Sequence, residues 1–186
     1  MTRGDQPALA GDDLLPEARA QATHEIDIAA PPAEVWPWLV QMGRLRGGWY
    51  SWDLLDNGGT PSADRIIPEL QQLAVGDVLP FTKTGDGPVA LVVEAPRSLV
   101  IGSPELLPGQ RPAAASAPLA TWAFSLQPAG NAGTHLAVRV RAVYRPSVLA
   151  TVVSHGVRIL HDFMERKQLR TLKQRAEAKR VRRPLW

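Results

Sequence analysis

The feature that most constrains the fold is an alternation of apolar and polar side chains in residues 133–144, GTHLAVRVRAVY. Aliphatic residues occupy the even positions from 136 to 142, and Arg139 and Arg141 lie between them. Successive side chains of a β-strand point to opposite sides, so this pattern predicts a strand with one buried face and one face in water. Residues 119–128, LATWAFSLQP, repeat the pattern with Trp122 and Phe124 on the inward side.

Four further segments have the composition of strands. They are THEIDIAA (23–30), VLPFT (78–82), PVALVVEA (88–95) and SLVIGS (98–103). The second and third are joined by the turn sequence KTGDG, which predicts a hairpin. These four segments and the two alternating ones predict an antiparallel sheet of six strands with one apolar face.

Two helical regions flank the predicted strands. PPAEVWPWLVQMG (31–43) begins with prolines that suit a first helical turn, and Pro37 predicts that this helix is short or kinked. From about Val148 to Lys179, apolar residues recur every three or four positions and predict one long amphipathic helix. Its predicted buried stripe contains Leu149, Val153, Val157, Leu160 and Met164, and it is extended by Phe163, Leu172 and Ala176. A sheet and a helix that each carry one apolar face cover one another in an α+β arrangement.

The length of 186 residues predicts one domain with its own core. Residues 1–20 are polar and predict a flexible N-terminal arm, residues 21–179 form the predicted domain, and residues 180–186 form a basic tail. Residues 165–186 hold nine Arg and Lys but only two Glu. This excess of positive charge is typical of an exposed helix end, and a nucleic-acid or anionic-membrane surface is the alternative.

Composition excludes several kinds of chemistry. The chain has no cysteine, so it has no disulfide, no thiolate metal site and no cysteine nucleophile. No histidine pair has metal-ligand spacing beside a carboxylate, so we expect no metal, and no phosphate-binding or nucleophile-elbow motif indicates a cofactor or a serine nucleophile. No apolar segment is long enough to cross a membrane and no secretion signal precedes the first strand, so we expect a cytoplasmic protein.

RGGWYSWDLLDN (46–57) places three aromatic rings in four positions between glycines and a turn. Trp49, Tyr50 and Trp52 either fill the core between helix and sheet or line a place where a ligand binds. The same region contains Asp53 and, further on, Asp64 and Arg65. A structural ion pair or cap is the simpler interpretation of these charges, and a general acid or base inside a cavity is the alternative.

The order of elements and several phrases resemble the SRPBCC superfamily, which includes START, polyketide cyclase and birch-pollen-allergen-like proteins. The phrases are APPAEVWPWLVQMG, GGWYSWDLLDN, SADRIIPELQQLAVGD, ATWAF and FMERKQLRTLKQRAE. They cover about residues 12–178 and are most similar to a bacterial branch of largely uncharacterised members. The resemblance implies a helix-grip fold, in which a curved antiparallel sheet of six to seven strands wraps a long C-terminal helix, two short helices follow strand 1, and a cavity lies between them.

A cavity of this kind predicts a set of ligand-binding residues from the first helix, the aromatic segment, the sheet and the last helix. They are Trp38, Met42, Trp49, Tyr50, Trp52, Trp122, Phe124, Val157, Leu160 and Phe163.

The resemblance implies binding or carriage of a hydrophobic small molecule, such as a lipid, a polyketide or an isoprenoid. The alternatives are a cyclase, dehydratase or hydrolase acting on such a molecule, or an interaction module with a vestigial cavity. A wholly apolar cavity would favour a carrier, an acid or histidine with a shifted pKa inside it would favour an enzyme, and a filled cavity would favour the module.

Overall fold

The computed structural model describes residues 7–110, 119–143 and 148–181, and within the last helix it describes side chains from residue 160 to residue 178. The chain is an α+β protein. Its strands are β1 (Ala20–Ile28), β2 (Val89–Glu94), β3 (Ser98–Gly102), β4 (Leu119–Ala129) and β5 (Gly133–Val143). Its helices are α1 (Pro32–Val40), α2 (Asp53–Asp56) and α3 (Val148–Val181). Short 3-10 turns form at Pro68–Leu70 and Pro104–Leu106.

The described strands form one curved antiparallel sheet of five strands in the order β1-β5-β4-β3-β2. The prediction of six to seven strands is therefore wrong, and the segment that accounts for the difference is VLPFT. Its hydrogen bonds do run beside the start of β2, from Leu79 N to the Pro88 carbonyl and from Ala90 N to the Asp77 carbonyl. Pro88 has no N–H to donate back to the Leu79 carbonyl, so only an isolated bridge forms between Val78 and Val89.

The predicted two short helices after the first strand and the long C-terminal helix are confirmed. In α1, Pro31 is the N-cap and Pro32 opens the first turn, while Pro37 lies inside a helix of only 9 residues. Val35 and Trp38 point from α1 into the main core.

The buried face of α3 agrees with the predicted stripe at Leu172 and Ala176 but not at Leu160 and Phe163. Leu169, Leu172 and Ala176 lie in the main core with the inward side chains of the sheet. Leu160, predicted to be buried, is 49% exposed, so this assignment is wrong. The prediction fails at Leu160 and Phe163 because the polar residues Glu165 and Gln168 occupy this part of the buried face. Val157, Leu149 and Val153 lie outside the residues whose side chains are described.

The outer face of the sheet is also covered, although the alternation predicted that it meets water. Residues 7–19, assigned from the sequence to a flexible arm, pack on it, and Leu9 and Leu15 are buried. Arg139, an outward side chain of β5, is 3% exposed and its Nη1 donates to Asp12 Oδ2 at 2.6 Å. Gly11 reaches the sheet closely enough that a Cβ would lie 2.7 Å from Val100 Cγ1.

The ends of the chain are described only in part. Residues 1–6 of the predicted arm and residues 182–186 of the predicted basic tail lie outside the described residues. The division into arm, domain and tail stays a prediction.

Candidate functional site

A cavity of about 430 Å³ lies between the sheet, α3 and the aromatic segment. Its apolar walls come from the inner side chains of β3, β4 and β5, from Met164 of α3, and from the loop that ends at Pro88. Cavities that hold drug-sized molecules span roughly 300–1,000 Å³, so its size suits a small ligand. Its lining includes Trp49, Ser51, Asp56, Phe81, Ile101, Ala120, Thr121, Trp122, Val140, His161, Met164, Glu165 and Gln168.

Aromatic rings form one side of the cavity. The rings of Trp49 and Trp122 stack with centroids 5.5 Å apart, and Phe81 lies 4.4 Å from Trp49. Trp49 is buried and its indole N–H donates to the Pro80 carbonyl, which fixes the ring. Phe81 is 45% exposed, so this side of the cavity reaches the surface.

Two glycines allow the aromatic segment to pass close to its neighbours. A Cβ on Gly47 would lie 2.8 Å from the Gln41 carbonyl oxygen, and a Cβ on Gly48 would lie 2.8 Å from Ser62 Cα. Gly48 also has a φ of +81°, in the left-handed region that favours glycine. With this close backbone path, the Trp49 side chain lies in the cavity wall. A hydrogen bond from Gln168 Nε2 to the Trp49 carbonyl, 2.8 Å long, connects the segment to α3.

A polar stripe on α3 borders the cavity. It consists of His161, Glu165 and Gln168, which are four and three residues apart and therefore share one face of the helix. Three of its atoms, His161 Nε2, Glu165 Oε2 and Gln168 Oε1, are buried and have no hydrogen-bond partner. Buried polar atoms are normally paired. These three atoms are closed off from solvent, so they belong to a packed polar cluster behind the cavity wall.

Glu165 is the centre of this polar stripe, and its side chain is fully buried. The Trp122 indole N–H donates to its Oε1 at 3.2 Å. His24 Nδ1 approaches Oε2 to 2.7 Å, without the alignment of a hydrogen bond, and His161 Nε2 lies 3.7 Å from the same oxygen. His24 faces inward because it pairs with Val138 of β5, an inward position of the sheet.

The surroundings shift the proton equilibria of these groups. Burial raises the pKa of Glu165 to about 8, because the charged carboxylate loses its solvation. Burial lowers the pKa of His24 and of His161 for the same reason, since the imidazolium form is the charged one. Burial, followed by the nearby Asp53, raises the pKa of Asp56 to about 6. At neutral pH the polar stripe thus combines a protonated acid with unprotonated imidazoles.

The ten residues predicted to bind a ligand lie in different parts of the structure: in the cavity wall, in the main core and at the surface. Trp49 and Trp122 lie in the wall of the cavity. Trp38, Met42, Tyr50 and Phe124 are buried in the main core and are absent from the lining of this cavity. Trp52, Leu160 and Phe163 are 41%, 49% and 54% exposed, and the Trp52 and Phe163 rings stack on each other. The side chain of Val157 lies outside the described residues. A ligand-binding role for Trp49 and Trp122 stays a prediction.

The charged residues of the aromatic segment hold the loop together. Asp53 Oδ1 accepts hydrogen bonds from the Ser62 backbone N–H at 3.1 Å and from the Ser62 hydroxyl at 2.5 Å. Asp64 and Arg65 are exposed and are absent from the cavity lining. Within this segment, the acidic residue in the cavity lining is Asp56, one helical turn after Asp53.

Sequence reasoning missed Glu165, His161, Gln168, Asp56 and Phe81. A signal for the first three was present, because polar residues at positions 161, 165 and 168 interrupt an otherwise apolar helix face. His24 gave a similar signal, since it shares the inward parity of Ile26 and Ile28 on β1.

The chain matches no protein-family model and no curated protein. It is similar to the solved structure of the di-domain ARO/CYC StfQ from the steffimycin biosynthetic pathway, with a TM-score of 0.51, 15% identity, and coverage of 92% of this chain and 55% of that one. Protein MLL2253 from Mesorhizobium loti matches at a TM-score of 0.49 and 19% identity, over 86% of this chain and 98% of that one. The chain thus spans about half of the di-domain protein. The similarity to StfQ shows a helix-grip-like fold.

Among the described residues, no helix combines the length and the apolar character needed to cross a membrane. In that same part of the chain, no group of three His, Asp or Glu residues is arranged to hold a metal ion.

Proposed function

We propose that the chain binds a hydrophobic small molecule in the cavity beside Trp49 and Trp122, and that it is a member of the SRPBCC superfamily. The observation that carries the binding proposal is the cavity itself, about 430 Å³ in volume and walled mainly by apolar and aromatic side chains. Stacked indole rings offer a flat apolar surface, which favours a ligand that contains a ring system.

A second candidate is an enzyme that acts on such a molecule. The observation that favours it is Glu165, a residue of the cavity lining whose side chain is fully buried and whose pKa burial raises to about 8. A simple carrier has no need for a buried acid against its ligand, whereas a general acid at neutral pH requires a raised pKa of this kind. A cavity of this size gives no support to the third candidate, an interaction module with a vestigial cavity.

The binding proposal is tested with the neutral apolar fluorophore N-phenyl-1-naphthylamine. We expect one-to-one binding with micromolar affinity or better, which is about −8 kcal/mol. Ala120 lines the cavity, so Ala120→Phe fills part of it and should weaken binding at least tenfold. Ala129→Phe, at the far end of the same strand, is the matched control and should leave the affinity unchanged.

Equal affinity in the two variants, or no saturable binding to the folded parent, would contradict the proposal. Native mass spectrometry of the protein purified from its own host addresses the ligand directly. The expected result is an added mass of a few hundred daltons that Ala120→Phe removes.

A further inference from the structure

Large apolar side chains are exposed where the aromatic segment meets α3. The rings of Trp52 and Phe163 stack with their centroids 5.2 Å apart and their planes 9° from parallel, and both rings are exposed. Leu55, one helical turn after Trp52, is exposed, and so is Leu160, one turn before Phe163. We call these four residues the outer patch.

The outer patch has a fixed position on the surface. Ser51 and Met164, the sequence neighbours of the two stacked residues, are joined by a hydrogen bond of 2.9 Å from the Ser51 hydroxyl to the Met164 carbonyl. The segment and the helix are thus tied together directly beneath the stacked rings. Single exposed apolar residues are common on soluble proteins, whereas several in one place mark an interaction site.

The same face of α3 continues as a basic surface. Leu160, Phe163, Lys167 and Arg170 fall within an arc of about 80° around the helix axis. Lys167 Nζ lies 5.7 Å from the centroid of the Trp52 ring, and Arg170 is exposed one turn further on. In the stretch of α3 whose side chains are described, residues 160–178, this arc holds no Asp or Glu. We call Lys167 and Arg170 the basic stripe.

The acidic side chains of this stretch lie outside the arc and have partners of their own. Glu165 is fully buried on the opposite face, and Asp162 Oδ1 lies 3.8 Å from His24 Nε2. Glu177 Oε1 accepts a hydrogen bond from Ala29 N at 2.7 Å. The positive charge of the basic stripe is therefore complementary to an anionic surface outside the protein.

The combination of the outer patch and the basic stripe favours one kind of partner. A second copy of the chain would bring the same cations to the interface, so charge does not favour it. A nucleic acid would satisfy the cations, but it offers no apolar layer for leucine side chains. The surface of an anionic membrane offers both, because phosphate groups lie directly above the hydrocarbon and tryptophan rings favour this boundary.

We propose that the outer patch and the basic stripe dock the protein on the surface of an anionic lipid membrane. The apolar side chains of the outer patch enter the interfacial layer, and Lys167 and Arg170 contact the lipid phosphates. The proposal goes beyond the proposed function and does not require a ligand in the cavity.

The docking surface lies on the outside of the cavity wall. Ser51 and Asp56 flank the exposed part of the aromatic segment, and His161 and Met164 flank Phe163 on α3. All four of these residues line the cavity. Docking in this orientation therefore holds this wall of the cavity against the lipid.

The test uses lipid vesicles of two compositions, pure phosphatidylcholine and phosphatidylcholine with about one-third phosphatidylglycerol, in a sedimentation assay. We expect the unaltered protein to bind the anionic vesicles at least about tenfold more tightly than the neutral ones. Raising the salt concentration to about 0.5 M NaCl should weaken this binding at least about tenfold, because salt screens the cations from the phosphates. Both measurements use the unaltered protein, so they stand even if a variant fails to fold.

Two matched pairs of variants locate the surface. Phe163→Ser should weaken binding to the anionic vesicles at least about tenfold. Val75→Ser changes an equally exposed apolar residue in the loop before β2 and should bind like the parent. Lys167→Gln should weaken binding about fivefold, whereas Arg97→Gln, which removes an exposed cation from the turn between β2 and β3, should not. Circular dichroism checks that each variant is folded.

Several results would overturn the docking proposal. They are a parent that binds no anionic vesicle at low salt, equal affinity for the two compositions, and equal losses within either matched pair. A dimer in sedimentation equilibrium that Phe163→Ser dissociates would assign the outer patch to a second copy instead. Binding of N-phenyl-1-naphthylamine is measured without vesicles, so the proposed function stands or falls separately.

Discussion

The side-chain amide of Gln41 lies 2.6 Å from the hydroxyl of Tyr50, and both residues are fully buried. The same amide donates to the Arg65 carbonyl at 3.1 Å and accepts from Ile67 N at 3.0 Å. Gln41 therefore ties the end of α1 to the aromatic segment and to the loop before the first 3-10 turn. Tyr50, the central ring of that segment, has a structural partner rather than a free hydroxyl.

From this bond we predict that Tyr50→Phe lowers the free energy of unfolding by about 1 kcal/mol, since Gln41 keeps its other partners. Gln41→Ala should cost about 3 kcal/mol, because it leaves the Tyr50 hydroxyl and the Ile67 N–H buried without partners. Urea unfolding measures both. Equal costs for the two variants would show that Gln41 is not the shared anchor.

The ion pair between Asp12 and Arg139 gives a second prediction. Asp12→Ala removes the carboxylate from a cation that is 3% exposed, so we expect a loss of about 3 kcal/mol in unfolding free energy. Asp13→Ala, at the exposed neighbouring position, should change it by less than about 0.5 kcal/mol. If the two variants unfold alike, residues 7–19 do not contribute to the stability of the sheet.

The face of α3 is tested by a matched pair of substitutions. Leu172 is 0% exposed in the main core, so Leu172→Asp buries an unpaired charge and should cost at least about 4 kcal/mol or prevent folding. Leu160→Asp, at a position 49% exposed, should cost less than about 1 kcal/mol. Thermal melting with circular dichroism distinguishes them, and the reverse order would mean that the helix is rotated.

The buried carboxyl of Glu165 should make stability depend on pH. The unfolded chain releases this proton near pH 4.5 and the folded protein near pH 8, so between these values the folded state binds more protons. The free energy of unfolding contributed by this group therefore falls as the pH rises from 4.5 to 8. Burial lowers the pKa values of His24 and His161, so below pH 6.5 the unfolded chain binds more protons at these two residues than the folded protein does. Their contribution to the free energy of unfolding therefore decreases as the pH falls through 6.5.

Glu165→Gln removes the contribution of Glu165 to the pH dependence of the free energy of unfolding. We expect its stability relative to the parent to increase by more than about 1.4 kcal/mol between pH 5 and pH 8, the equivalent of one pKa unit. Urea unfolding at several pH values measures the difference. A difference that stays flat with pH would mean that the Glu165 carboxyl titrates in its ordinary range.

Much of the fold followed from periodicity. The alternation in β4 and β5, the proline-started α1 and the extent of α3 could all be predicted, because each depends on a local pattern that burial on one face enforces. The loss of the sixth strand depended on Pro88 in the partner segment, which cannot donate to the Leu79 carbonyl, so VLPFT alone does not show it. The cover on the outer face depended on a contact between Asp12 and Arg139, over a hundred residues apart.

The site was harder to predict than the fold. Its aromatic half was recognised in Trp49 and Trp122, whereas Tyr50 was assigned to the cavity and instead belongs to the core. Its polar half was missed, because α3 was interpreted as an apolar stripe and the residues that break the stripe were passed over. Whether His161 and Glu165 meet His24 depends on the register of β1 on β5, which no single segment of the sequence encodes.

Pro80, the proline within VLPFT, has a consequence for contacts between molecules. β2 is the edge strand of the sheet, and residues 77–81 run along its open side. Pro80 has no N–H that could donate to an added strand. Its carbonyl already accepts hydrogen bonds from Arg44 N and from the Trp49 indole N–H. An intruding strand from a second copy would find no ladder to extend here, which protects the protein from aggregation through this edge. Pro88 prevents a sixth strand from forming on the inner side of this segment, and Pro80 hinders the addition of a strand from a neighbouring molecule on its outer side.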